Sequence, residues 1–165
     1  METHQYGTFI SWVFLVALVA TADASFAADV NSPVGTWRLI SWQVIVDNGP
    51  PQDVFGSQPR GFLILTKEGR LIVLTTAESR KRGMSDQERA ALHKSMVAYT
   101  GKYRIESNDL ITTVDVSWNE EWNGTEQRRH FRVDGDKLFI ETALAPSILF
   151  PDKTDFRRIV WRREK

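Results

Sequence analysis

Eight segments whose apolar residues recur at every second position follow one another along this chain, joined mostly by short polar turns, and that pattern constrains the fold more than any other feature. A two-residue period is the signature of half-buried strands. The segments are Val34–Val46, Arg60–Thr66, Arg70–Thr76, Lys102–Glu106, Leu110–Trp118, Thr125–Val133, Lys137–Ala143 and Phe156–Arg162. Lys67-Glu68-Gly69, Ser107-Asn108-Asp109 and Asp134-Gly135 punctuate them as turns, with Gly, Asn and Asp supplying left-handed backbone. Strands joined this locally pair as an antiparallel meander, and closing the meander removes its exposed edges. The expected fold is an all-β, eight-stranded, antiparallel up-and-down barrel.

One helix interrupts the series, between the third and fourth strands. Ser85-Asp86-Gln87-Glu88 has the form of a capping box. Leu92, Met96 and Tyr99 fall on one helical face, and Gly101 offers a stop, so the spacing predicts a helix from Asp86 to Ala98.

The first 27 residues read differently. Phe9 to Ala20 is an apolar run of roughly 18 Å as a helix, too short for a bilayer core. Small residues follow, and Ser25-Phe26-Ala27 fits a signal-peptidase site. The expectation is a signal peptide over residues 1–27 and a barrel domain over 28–165, secreted or periplasmic, with no stable membrane insertion after cleavage. The n-region, Met1 to Thr8, holds no Lys or Arg, which departs from the usual leader.

Charge and composition exclude several classes. Lys and Arg total 21, as do Asp and Glu. Such balance argues against nucleic acid as a partner, since that binding needs a cationic excess. The chain has no Cys, which removes disulfides and thiolate chemistry. His93 and His130 lie on separate segments without metal-ligand spacing, so no metal or cofactor is expected. No GxSxG elbow, P-loop or GxGxxG is present. Trp118 and Trp122 flank Glu120 and Glu121, but adjacent carboxylates on an extended segment point apart, against a glycosidase pair.

Gly35-Thr36-Trp37 resembles the Gly-x-Trp signature of lipocalins. The wider set is similar to the bacterial and fungal lipocalin-like domain family. It comprises Val34 to Trp42, Pro59 to Thr66 with Gly69-Arg70, Tyr99-Thr100-Gly101-Lys102-Tyr103, Trp122 to Gln127, Phe131 with Asp134-Gly135-Asp136, and Val160-Trp161. The resemblance implies a barrel in which Trp37 plugs the closed end beneath Arg162 or Arg163. It brings no catalytic residues.

Alternation assigns the inward faces. Gln43, Leu63, Tyr103, Val114, Val116, Trp118, Arg129, Phe131 and Ile140 are the expected ligand-binding residues, with Leu39 and Trp161 completing the apolar lining. Arg129 reads as a ligand anchor, half of an internal ion pair, or a residue of the barrel mouth. The expected partner is a small apolar or amphipathic molecule. Two alternatives stay open: an isomerase or cyclase using the same cavity, and a filled barrel acting through its surface. The residues leave the oligomeric state undetermined.

Overall fold

The computed structural model describes Met1 and residues 31–147 and 152–165. The expected leader, residues 1–27, lies outside the described residues but for Met1. The elements are β1 (Gly35–Val46), β2 (Gln52–Asp53), β3 (Arg60–Leu65), β4 (Arg70–Thr76), α1 (Asp86–Lys94), β5 (Met96–Glu106), β6 (Asp109–Ser117), β7 (Glu126–Asp134), β8 (Lys137–Thr142), β9 (Ala145–Pro146) and β10 (Thr154–Arg163).

Eight long strands pair antiparallel in the order β1, β3, β4, β5, β6, β7, β8, β10, and β10 returns to β1 from Trp37↔Arg163 to Val46↔Asp155. The sheet is therefore a closed barrel, as the alternation predicts. Strands β2 and β9 are two-residue additions against β1 and β10. Because the two-residue β2 forms between the first and second of the expected strands, the helix follows the fourth strand in chain order, not the third.

The helix is also shorter than expected. It ends at Lys94 with Ser95 as C-cap, and Met96 and Tyr99 belong to β5. The stretch from Met96 to Thr100 pairs with Thr76 back to Ile72 on β4, and those ladder bonds override the helical spacing. Gly101 has a different role from a helix stop. A Cβ there would lie 2.3 Å from the Thr113 carbonyl oxygen, so the glycine permits close approach of β6.

Two β-bulges change the facing of side chains. In β1 the register shifts between Leu39 and Ser41, which brings Trp42 and Val44 inside and turns Gln43 out. In the β5–β6 pair Thr100 faces Val116 while Gly101 faces Val114, leaving Asp115 as the extra residue. Val116 is consequently on the outer face, 62% exposed. Each bulge adds one residue and so reverses the parity beyond it.

The two ends of the barrel differ. Tight turns close one end, between β3 and β4, β5 and β6, and β7 and β8. Trp37 is wholly buried there, its indole N–H donating to the Pro33 carbonyl at 2.7 Å. Leu39, Leu65, Leu71, Leu138 and Trp161 pack into the same core. The longer connections, including α1, gather at the opposite end.

Candidate functional site

Toward the end with long connections the core does not fill the barrel. A cavity of about 360 Å³ remains, near the lower bound of ordinary small-molecule sites, roughly 300–1,000 Å³. Its deeper wall is aliphatic, from Leu63, Leu71, Val73, Leu110, Ile140 and Ile159. Its outer part is aromatic. Trp42 leans on Phe55 with centroids 5.2 Å apart, and Trp122 meets Trp118 edge-on at 4.9 Å and Tyr99 at 5.4 Å.

Local chemistry places these rings. Asn119 caps the 3-10 turn Glu120–Trp122, its side chain accepting from the Glu121 amide, and Trp122 is thereby turned back over the cavity. Glu120 and Glu121 stay exposed outside it. The Val54 amide donates to the Trp42 carbonyl, which seats Val54 and Phe55 across the mouth. Helix α1 stands beside the mouth and buries none of its residues. It is tied there by His93 Nε2, 3.1 Å from the Trp118 carbonyl, and by Arg80, which donates to the Leu92 carbonyl.

Four of the nine expected ligand residues line this cavity: Leu63, Trp118, Arg129 and Ile140. Phe131 and Val114 are buried but lie away from it. Tyr103 is half-buried at the closed end, where its hydroxyl donates to the Thr66 carbonyl at 2.7 Å. Gln43 is displaced to the outside by the β1 bulge and donates to Asp53 at 3.1 Å. Val116 is turned out by the Asp115 bulge. Leu39 packs in the core below the cavity, and Trp161 lines it.

The polar part of the lining is uneven in charge. Lys94, Arg129 and Arg157 contribute to it, and no Asp or Glu among the described residues does. Arg129 follows the expected parity, since no bulge interrupts β7. Its guanidinium donates to the Gln127 side-chain oxygen at 2.8 Å and to the Arg128 carbonyl at 2.9 Å, both neutral acceptors. Burial pushes its pKa down; Tyr99 opposes that, and the charge of Arg157 adds to it. Burial likewise pushes the Tyr99 phenol up, with Arg129 opposing. Arg157 reaches Asp155 at 3.3 Å, and the buried Asp155 also accepts from Ser147. The indole N–H of Trp161 has no acceptor among the described residues.

Arg157, Tyr99 and Trp42 were not among the expected site residues. Phe156 to Arg162 does alternate, and Ile159 and Trp161 mark its inner face, so Arg157 was available by the same parity. Tyr99 was hidden by its helical spacing from Leu92. Trp42 depends on a bulge that no Gly or Pro announces.

The profile of the lipocalin-like domain family matches residues 34–164. No curated protein matches the chain. A solved structure of an uncharacterized protein from Bacteroides eggerthii DSM 20697 is similar, with 17% identity and a TM-score of 0.39, over 79% of this chain and 98% of that one.

Proposed function

The chain belongs to the lipocalin-like domain family, and we propose that its barrel is a binding module that holds one small apolar or amphipathic molecule. The observation that carries this reading is the cavity itself. Its walls are apolar, its mouth is aromatic, and a few polar groups converge on it. Concave apolar sites with a small number of placed polar groups are the usual form of a small-molecule site. A barrel built only for stability would gain by filling the space, because each missing packing contact costs dispersion energy.

We propose as well that residues 1–27 direct export and that the domain acts in the periplasm or outside the cell. The support is in the sequence: an apolar run, Phe9 to Ala20, followed by small residues that fit a signal-peptidase site. No helix among the described residues is long and apolar enough to cross a membrane.

Native mass spectrometry of protein isolated from its own host tests the binding reading. A reproducible non-covalent adduct of one small molecule per chain is expected. A bare polypeptide mass under conditions that preserve a control ligand complex contradicts it. N-terminal sequencing of the same sample tests export: the chain begins near Ala28, and a chain that retains Met1 contradicts cleavage.

A further inference from the structure

Most arginines on the outer faces of the strands have acidic partners. Arg104 pairs with Glu106 and Glu126, Arg128 with Glu106 and Asp109, and Arg158 with Glu141. Arg129, which faces inward, has none among the described residues, and its donors reach only neutral oxygens. A guanidinium drawn away from water is costly unless an opposite charge meets it. The position of Arg129 is set by the ladder. It faces Thr142 on β8, and the Thr142 hydroxyl oxygen accepts from the Arg157 amide at 2.8 Å. Arg129, Thr142 and Arg157 therefore form a row across three strands, with the arginine Cα atoms about 10 Å apart by strand spacing. Both arginines project into the cavity, and Asp155 offsets only Arg157. Lys94 adds a third positive charge at the mouth.

Resting on the binding reading above, we propose that the occupant is an amphipathic organic anion, a carboxylate or its equivalent, whose charged end sits on Arg129 beside Arg157 and whose apolar body lies against Trp42, Phe55 and Ile159. A neutral occupant would strip further water from Arg129 without compensating it. An anion supplies the missing acceptor, and the planar donor fork of arginine suits a two-oxygen group. The Tyr99 hydroxyl makes no hydrogen bond to the described protein and is close enough to Arg129 to interact with its charge, so it is available as a further donor.

The test uses two fluorescent probes with one carbon skeleton, the anion 8-anilinonaphthalene-1-sulfonate and the neutral N-phenyl-1-naphthylamine, titrated into the full domain. The anion is expected to bind more tightly by about tenfold or more, the scale of one charged hydrogen bond, and to be displaced by the neutral probe. Arg129→Gln should abolish that preference, with the anion weakened and the neutral probe bound as tightly as before or more tightly, while Arg129→Lys keeps most of it. Equal or tighter binding of the neutral probe to the wild-type domain overturns the anion proposal and leaves the binding reading intact. So does an anion that the neutral probe cannot displace. Failure of both probes to bind overturns the binding reading itself. If Arg129→Gln does not fold, the wild-type comparison and Arg157→Gln, expected to weaken the anion alone, decide the matter.

Discussion

The guanidinium of Arg163 lies over the indole of Trp37, 4.0 Å from the ring centroid, while its two terminal nitrogens donate to the Val34 and Ser32 carbonyls at 2.8 Å. One cation thus covers the aromatic plug and ties the segment before β1 to the last strand. Gly35 allows it: φ there is +139°, and a Cβ would lie 2.9 Å from Arg163 Nη1. Of the two arginines that the Gly-x-Trp resemblance offered, Arg163 takes the position, and Arg162 turns outward toward Asp136.

Trp37→Ala should lower the unfolding free energy by about 3–5 kcal/mol, the usual loss for a buried large aromatic. Urea unfolding followed by far-UV circular dichroism measures it. A midpoint equal to wild type would mean that the plug does not hold the closed end.

Gly101→Ala should destabilise by about 1–3 kcal/mol, as overpacking does. The backbone of Gly101 is not left-handed, so the cost is steric, against the Thr113 carbonyl and the Thr112 methyl. A thermal melt of the variant checks this. An unchanged melting temperature would show that β5 and β6 can separate without penalty.

Ser85→Ala should act locally. Ser85 Oγ accepts from the Glu88 amide, and the Glu88 carboxylate accepts from the Ser85 amide in return. Loss of such a cap costs a helix about 1 kcal/mol. Since α1 buries no side chain, amide exchange from Arg89 to Ser95 should accelerate about fivefold while the global unfolding midpoint holds. A global loss of the same size would show that the helix is part of the cooperative core.

Acid should weaken the domain through its outer face. Arg104 holds Glu106 and Glu126 below the ordinary Glu value of 4.5, and Arg128 holds Asp109 below the ordinary Asp value of 3.8. Folded values below unfolded ones add stability that is complete above the unfolded pKa and is lost as pH falls through the folded pKa. The stabilisation is therefore present at neutral pH and fades below about pH 4.5. Urea midpoints of wild type and an Arg104→Gln, Arg128→Gln double variant should differ at neutral pH and converge in acid. A difference that does not change with pH would remove the ion-pair ladder as its source.

The strands were legible because alternation and turn residues are local signals, and Trp37, Leu63 and Arg129 follow from parity on uninterrupted stretches. Gln43 and Val116 face away from the cavity for one reason. A single extra residue at Ile40 or Asp115 reverses the facing of the strand residues that directly follow it, and its position is set by the neighbouring strand, not by the residue type. Tyr99 satisfies a helical spacing from Leu92 as well as an inward alternation with Val97, and only pairing with β4 decides between the two. Arg157 sits in an arginine pair whose members face opposite ways. Its meaning emerges when β8 sets Thr142 between it and Arg129.

A crystallographic electron-density map of protein purified from its own host would show whether the barrel keeps its apolar cavity open for a ligand. Continuous non-protein density is expected between Trp42, Trp118 and Ile159, with its polar end within hydrogen-bonding distance of Arg129. A cavity closed by inward collapse of Trp118 and Trp122, with Arg129 turned to solvent, would contradict that expectation.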